Sequence, residues 1–159
     1  MARTRPMRIF LCIAFLSLAA CTNGGTLTPA GDGGGGTQTQ TIDVNLTLNP
    51  TTQTPQGSAG GYAPVTADVA VGTLIRFHNS DGFAHTATAI PNATTFPAGS
   101  PFSTSAQSQS GNTLSQGWSS GTLQAGASSQ AILVDRAGTY LYGCFFHYGG
   151  PMRAVIVAH

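Results

Sequence analysis

Residues 138–159, GTYLYGCFFHYGGPMRAVIVAH, contain two apolar segments joined by a turn-forming one. The flanking segments TYLYGC and RAVIVAH are rich in β-branched and aromatic residues, a composition typical of β-strands. Gly149, Gly150 and Pro151 lie between them, and their backbone preferences favour a sharp turn. The stretch therefore predicts that the last two strands form a hairpin.

The same strand-like pattern recurs upstream of this hairpin. Residues 41–50, TIDVNLTLNP, alternate apolar and polar side chains, which predicts a strand with one buried face that ends at Pro50. Similar segments are VTADVAV, TLIRFHN, HTATAI and SQAILVD, each bounded by turn-forming residues. No segment carries a helical period. The pattern predicts an all-β sandwich of about seven to eight strands.

One segment does not fit this pattern. Residues 92–117 are dominated by Ser, Thr, Gln, Gly and Pro, and structureless loops of that length are uncommon inside compact domains. We interpret the segment as a long polar insertion. It is either a surface element with a short helix or strand of its own, or mobile.

The chain begins with the features of an export signal. Arg3, Arg5 and Arg8 precede an apolar run over residues 9–20, which is too short to span a bilayer. Residues 1–20 are therefore predicted to be a signal peptide that is absent from the mature protein.

The run ends in LAAC, residues 18–21, which resembles the lipobox of bacterial lipoproteins. That resemblance implies that Cys21 carries lipid and becomes the mature N-terminus; the alternative is an ordinary secretory signal cut nearby. Residues 21–40, rich in Gly, Thr and Gln, then form a flexible tether to a domain over 41–159. We expect this domain in the bacterial cell envelope, lipid-anchored in the periplasm or at the cell surface.

Charge excludes one class of partner. Removal of residues 1–20 leaves three arginines against five aspartates, a net charge of −2, and the chain contains no lysine or glutamate. A basic surface for nucleic acid is therefore absent from the sequence. Paired carboxylates, a nucleophile with its base and a phosphate-binding glycine loop are not recognisable either, so we expect no enzyme.

The cysteines point to metal chemistry instead. Cys12 lies in the predicted signal peptide and Cys21 is the predicted lipid site, so Cys144 is left without a disulfide partner. His147 follows three residues later and Met152 five beyond that. Two histidines, one cysteine and a weak axial methionine are the ligands of blue copper electron-transfer sites. This segment supplies three of those four ligands.

The second imidazole must come from a distant part of the chain. The candidates are His78, His85 and His159. His85 follows a predicted turn and opens a strand, so it has rigid support on both sides, which metal ligands need. It is the favoured candidate, and the other two remain alternatives.

Two regions resemble the signatures of the plastocyanin-like cupredoxins. They are VGTLIRFHNSDGFAHTATAI and GTLQAGASSQAILVDRAGTYLYGCFFHYGGPMRAVIVAH, and the resemblance covers most of residues 66–159 apart from the insertion. It implies a Greek-key sandwich that holds one type 1 copper ion through His85, Cys144, His147 and Met152. It also implies electron transfer as the activity. We expect a monomer that exchanges electrons with redox protein partners.

Three positions depart from that family pattern. Gly143 stands where plastocyanins often have a tyrosine that serves a second, remote electron route. Phe146 replaces a frequent proline, and Arg153 stands where many relatives have glycine. None of the three removes a ligand.

Other residues near the proposed ligands allow two interpretations. Asn79 and Asp81 are typical turn formers, although a polar group there can also pin the loop of His85. The aromatic residues that flank the ligands either shield the metal or form a docking patch for a partner; they are Phe83, Phe145, Phe146 and Tyr148.

Two other functions remain open at this stage. A copper chaperone or storage protein would use the same ligands without reversible redox chemistry. A structural surface β-domain would keep the fold without binding metal.

Overall fold

The computed structural model describes residues 37–159, so the predicted signal peptide and most of the predicted tether lie outside the described residues. The strands are β1 Thr39–Val44, β2 Thr52–Thr54, β3 Gly57–Ala59, β4 Tyr62–Ala63, β5 Thr66–Val69, β6 Leu74–Asn79, β7 Thr88–Ile90, β8 Gln109–Ser110, β9 Ser119–Ser120, β10 Ile132–Leu133, β11 Gly138–Gly143 and β12 Arg153–Ala158. One 3-10 helix spans Thr104–Gln107. The prediction of an all-β fold is confirmed.

The strands form two main sheets. One has the order β10-β6-β1-β4, and the other has the order β5-β12-β11-β7-β9-β8, while β2 and β3 pair separately. The hairpin predicted at the end of the chain is present, because β11 and β12 pair antiparallel from Gly138 opposite Ala158 to Gly143 opposite Arg153. The parallel pairs β1 with β6 and β5 with β12 bring distant segments of the chain together.

The core lies between the two sheets. Alternate side chains of β1 and β6, such as Ile42 and Phe77, meet inward-facing residues of β11 and β12, such as Tyr142 and Ile156. Phe77 stacks on Trp118 with ring centroids 5.1 Å apart and meets Tyr142 edge-on at 5.2 Å. Offset and edge-to-face aromatic pairs of this kind stabilise cores beyond their buried area, by about 0.5 to 1.5 kcal/mol each.

The outer face of β12 is also covered. Val155 packs with Ile90 and Leu141 in a second apolar cluster, and Phe96 and Phe102 of the insertion pack against that cluster. A strand buried on both faces has a nearly continuous apolar sequence, as RAVIVA does. The insertion therefore lies over the sheet that carries the C-terminal hairpin.

The insertion contains regular structure, as one of the two interpretations anticipated. It holds the 3-10 helix and β8, and β8 pairs with β9 to extend the sheet. The Ser119 hydroxyl donates to the Ala106 carbonyl at 2.7 Å and ties the helix to β9. Residues 37–159 contain twelve strands where seven to eight were predicted, because five short strands of two or three residues, β2, β3, β4, β8 and β9, were not recognised in the sequence.

The first predicted strand was too long. β1 ends at Val44, and Leu46 and Leu48 lie in a turn, with Leu48 71% exposed. The Asn45 side-chain oxygen accepts hydrogen bonds from the Thr47 and Leu48 amides at 3.1 and 2.9 Å. This local bonding competes with the strand ladder and turns the chain before Pro50.

Among the described residues, no helix is long and apolar enough to cross a membrane.

Candidate metal centre

The chain folds three metal-binding side chains to one end of the sandwich. His85 lies in the loop after β6 and is paired with Leu123 through two backbone hydrogen bonds of 3.1 and 2.8 Å. Cys144 directly follows β11, and its amide donates to the Met152 carbonyl at 3.0 Å. The His147 carbonyl accepts from the Gly150 and Met152 amides, which closes the turn between β11 and β12. Rigid backbone therefore supports each side chain.

The donor atoms of His85, Cys144 and His147 converge. The Cys144 Sγ lies 3.8 Å from His85 Nδ1 and 3.7 Å from His147 Nδ1, and the two nitrogens are 3.1 Å apart. A point equidistant from these atoms lies about 2.1 Å from each, which matches the ~2.0 to 2.3 Å bonds of imidazole nitrogen and thiolate sulfur to a first-row metal such as zinc. The three donors thus enclose a space of metal-ion size.

Of the three candidates for the second imidazole, the structure brings only His85 to Cys144 within residues 37–159. His78 Nδ1 instead pairs with the Ser128 hydroxyl at 3.0 Å. His159 pairs with Asp68 at 2.9 Å on the exposed surface.

Met152, the fourth candidate donor, lies in the loop that enters β12, and its carbonyl accepts from the Cys144 amide. It is fully buried, and its side chain packs against Gly61. Gly61 has a φ of +75°, and a Cβ at this position would lie 2.5 Å from the Met152 Cγ. Only glycine meets both demands, because it accepts positive φ and leaves room for the thioether side chain. Gly61 is a site residue that the sequence did not reveal.

The His85 imidazole is held by a carboxylate on its other side. His85 Nε2 donates to Asp81 Oδ2 at 3.1 Å, and Nδ1 is the ring nitrogen that faces Cys144 and His147. Burial alone would raise the pKa of the Asp81 carboxyl, but hydrogen bonds from His85 and from the Gly82 and Leu46 amides outweigh it and lower that pKa. Asp81 is therefore ionised and can only accept.

Asn79 supports the same loop. Its amide nitrogen donates to the Phe83 and Leu123 carbonyls at 2.9 Å each, and its side-chain oxygen accepts from the Asp81 amide at 2.9 Å. Asn79 is fully buried. It joins the His85 loop to the neighbouring segment, which agrees with the interpretation that a polar residue pins this loop.

The Cys144 sulfur lies in a buried and hydrogen-bonded environment. The Thr86 amide donates to Sγ at 3.4 Å, and the Thr86 hydroxyl accepts from the Phe145 amide at 2.8 Å. Burial raises the pKa of the Cys144 thiol, and the hydrogen bonds from Thr86, His147 and Phe146 oppose that rise only in part. Without metal the group is a thiol at neutral pH, and a bound cation is needed to stabilise the thiolate.

His147 links the site to the surface. Burial and the neighbouring His85 lower the pKa of its imidazole, so it is neutral at pH 7. It is half-buried, while His85 and Cys144 are fully buried. Its ring lies 5.6 Å from that of Phe83 and 6.1 Å from that of Phe146, centroid to centroid.

The four aromatic residues that flank the proposed ligands differ in their exposure to solvent. Phe83 and Phe146 are 47% and 40% exposed beside His147, so they form an apolar surface. Phe145 is half-buried against Phe146. Tyr148 is buried and meets Phe102 of the insertion edge-on, so it presents no surface to a partner.

The candidate donors are two imidazoles and a thiol that converge, and a buried methionine in the same loop. This mixed set of nitrogen and sulfur donors is soft, which suits copper. The donor set is that of a type 1 copper site. Its residues fit a single copper ion: His85 and His147 would bind through Nδ1, Cys144 through Sγ and Met152 as a weak axial ligand.

Comparison with known proteins gives structural neighbours alone. No protein-family model and no curated protein matches the chain. A purple cupredoxin from Nitrosopumilus maritimus superposes with a TM-score of 0.47 at 17% identity, over 75% of this chain and 98% of that one. An oxidised methionine-to-leucine mutant of amicyanin superposes with a TM-score of 0.45 at 13% identity, over 75% and 80% of the two chains. A reduced tryptophan-to-tyrosine mutant of amicyanin gives a TM-score of 0.46 at 14% identity, over 76% and 82%.

Proposed function

We propose that this protein is a cupredoxin-like electron carrier, not an enzyme, which binds one type 1 copper ion and exchanges single electrons with redox proteins. The observation that carries the proposal is the convergence of His85 Nδ1, His147 Nδ1 and Cys144 Sγ within 3.8 Å of one another. When bound, copper would supply reversible one-electron chemistry between Cu(II) and Cu(I). His85, Cys144, His147 and Met152 are its proposed ligands.

The protein's part is to hold the donors still and keep water away. Cys144, His85 and Met152 are fully buried, and their loops are fixed by backbone hydrogen bonds, so little has to rearrange when the charge changes. Preorganised ligands of this kind favour fast transfer because no reordering is needed at each step. His147 is the least buried of the proposed ligands and is the proposed path for the electron to the surface.

An absorption spectrum of the oxidised, copper-loaded protein, with cyclic voltammetry, tests the proposal. We expect one copper per chain, an intense thiolate-to-Cu(II) charge-transfer band and a reversible potential. Copper binding without reversible redox chemistry would favour a chaperone or storage protein. A protein that binds no copper after reconstitution would favour a structural β-domain.

A substitution at the surface tests where partners dock. Phe146→Asp places a carboxylate beside His147, and two such surfaces repel each other during electron self-exchange, so we expect the self-exchange rate to fall by about tenfold or more. The blue band should remain because Phe146 provides no ligand atom. The rate is measured by NMR line broadening in mixtures of the oxidised and reduced protein.

Val71→Asp is the matched control for this experiment. Val71 is 46% exposed and precedes β6, whereas the site lies beyond the other end of that strand. Val71→Asp introduces the same charge, and we expect it to change the self-exchange rate by less than twofold. Equal effects of the two substitutions would show that the Phe146 surface is not where the proteins meet.

Metal binding should release a proton. The pKa of the Cys144 thiol is raised, so the thiol is protonated at pH 7 and must lose its proton to bind metal. The pKa of His147 is lowered, so that imidazole is already neutral at pH 7 and has no proton to lose when it binds metal. We expect about one proton released per metal ion at pH 7 and an affinity that falls about tenfold for each pH unit below neutrality. Calorimetry with Co(II), a redox-inert probe, in buffers of different ionisation enthalpy measures the count. No proton release would contradict the role of Cys144.

We further propose that the carrier is a monomer held in the bacterial cell envelope by lipid on Cys21. The support is the LAAC motif after the apolar run and the Gly-rich stretch between Cys21 and β1. Such a tether raises the effective concentration of the domain near membrane-bound partners. Mass spectrometry of the N-terminal peptide tests this, and an N-terminus without acyl chains would favour an ordinary secretory signal.

A further inference from the structure

Arg153, the first residue of β12, occupies an unusual position for a cation. Its guanidinium carbon lies 5.2 Å from the ring centroid of Phe96 and 5.0 Å from that of Tyr148. Its Nε donates to the Ser58 carbonyl at 2.7 Å, and one Nη donates to the Pro97 carbonyl at 3.3 Å. Arginine favours such sites because its planar group stacks on rings and donates in fixed directions.

Tyr148 is fixed by the same neighbours. Its hydroxyl donates to the Pro97 carbonyl at 3.0 Å, so this single oxygen accepts from both Tyr148 and Arg153. Phe102 meets the ring edge-on, with centroids 5.6 Å apart. On another side lies Gly143, where an added Cβ would be 2.9 Å from the Tyr148 Cδ2. The ring therefore has one position available.

Each of the two fixed residues is the sequence neighbour of a proposed ligand. Tyr148 directly follows His147, and Arg153 directly follows Met152. The Pro97 carbonyl of the insertion accepts from both, Phe96 packs against Arg153 and Phe102 packs against Tyr148. The insertion thus contacts the chain directly after His147 and directly after Met152.

Simple packing does not explain an arginine here. The insertion already covers the outer face of the sheet with Phe96 and Phe102. An apolar side chain at position 153 would extend that cover without the cost of desolvating a partly buried cation. The hydrogen bonds to two backbone carbonyls instead define the direction in which the chain leaves Met152.

We propose that Arg153 and Tyr148 are positioning residues through which the insertion fixes the loop that carries His147 and Met152. This inference rests on the proposed function, because it concerns the ligands of the proposed copper site. It gives Phe96, Pro97 and Phe102 of the insertion a role in holding this loop.

The test is copper release from the copper-loaded full chain. Arg153→Met keeps an unbranched, flexible side chain, shorter than that of arginine, but removes the cation and both hydrogen bonds. We expect reduced protein to release Cu(I) to a chelator at least about tenfold faster than the unsubstituted protein, and the ratio of the charge-transfer bands to change. Arg153→Lys keeps the cation and should recover part of the loss.

Arg76→Met is the matched control. Arg76 also donates to a backbone carbonyl, that of Ser129 at 3.0 Å, but it lies on β6 away from the ligand loop. We expect its release rate to stay within twofold of the unsubstituted protein and its band ratio to be unchanged.

The inference is overturned if Arg153→Met lowers thermal stability but leaves the release rate and band ratio unchanged. If Arg153→Met does not fold, Tyr148→Phe is the second variant, and it removes only the hydroxyl hydrogen bond to Pro97. An unchanged release rate and band ratio in Tyr148→Phe would also overturn the inference. If the unsubstituted protein binds no copper, the proposed function itself is wrong, and the inference falls with it. A protein that binds copper normally but tolerates both substitutions contradicts the inference alone.

Discussion

Cys144→Ser should abolish the blue colour of the copper-loaded protein. The intense band of a type 1 site arises from the thiolate, and a serine hydroxyl stays protonated and gives no such transition. We also expect Cu(I) affinity to fall by about a hundredfold or more, because the soft thiolate is the donor that selects this ion. Absorption spectroscopy and competition with a Cu(I) chelator measure the two effects.

The substitution should leave the fold intact. The serine oxygen can accept the hydrogen bond that the Thr86 amide donates to sulfur, and serine differs from cysteine only in that one smaller atom. Cys21→Ser is the control, because Cys21 belongs to the N-terminal segment and has no proposed part in the site. A blue band that survives in Cys144→Ser, or disappears in Cys21→Ser, would show that another thiolate binds the metal.

The sequence was sufficient to predict the C-terminal part of the site for a physical reason. Cys144, His147 and Met152 lie within nine positions, so their grouping depends on one strand end and one turn. His85 could be favoured because a turn and a strand flank it, and the structure brings it to Cys144. In this segment, local patterns were informative because local backbone geometry decides how the donors are grouped.

Contacts between distant segments were beyond such reasoning. Gly61 makes room for Met152, a residue that comes much later in the chain, and nothing around Gly61 indicates this. Nothing in the sequence explained Gly143 either; the Tyr148 ring occupies the space that a Cβ at this position would need. Arg153 was recognised as unusual, but two of its partners, Phe96 and Pro97, come from the insertion, whose path the sequence did not predict.

Asp81 was assigned mainly as a turn former, and the structure gives it a larger role. It lies four residues before His85, and that spacing was the only available signal. Aspartate is common in turns, so its presence in NSDG did not distinguish the two roles. Its position against His85 Nε2 depends on how the loop closes onto Asn79 and Leu46.

Asp81→Ala should weaken copper binding by about ten- to a hundredfold. Without the carboxylate, the buried His85 Nε2–H loses its acceptor, which costs about 1 to 3 kcal/mol. The imidazole can avoid that cost by moving its proton to Nδ1, the atom proposed to bind the metal. The metal-bound state cannot make this change because the metal would occupy Nδ1, so it alone keeps the cost. Chelator competition measures the affinity, and NMR of the metal-free protein identifies the His85 tautomer.

Asp81→Asn distinguishes the effect of the hydrogen bond to His85 from the effect of the negative charge of Asp81. The asparagine oxygen can still accept from His85 Nε2, so affinity should stay within about tenfold of the unsubstituted protein. Loss of the negative charge destabilises Cu(II) more than Cu(I), so the reduction potential should rise. Asp135→Ala is the control, because Asp135 accepts from the Ser115 amide at 2.9 Å but faces no proposed ligand. An Asp81→Ala protein that binds copper within twofold of the unsubstituted protein would mean that His85 keeps its tautomer and position without Asp81.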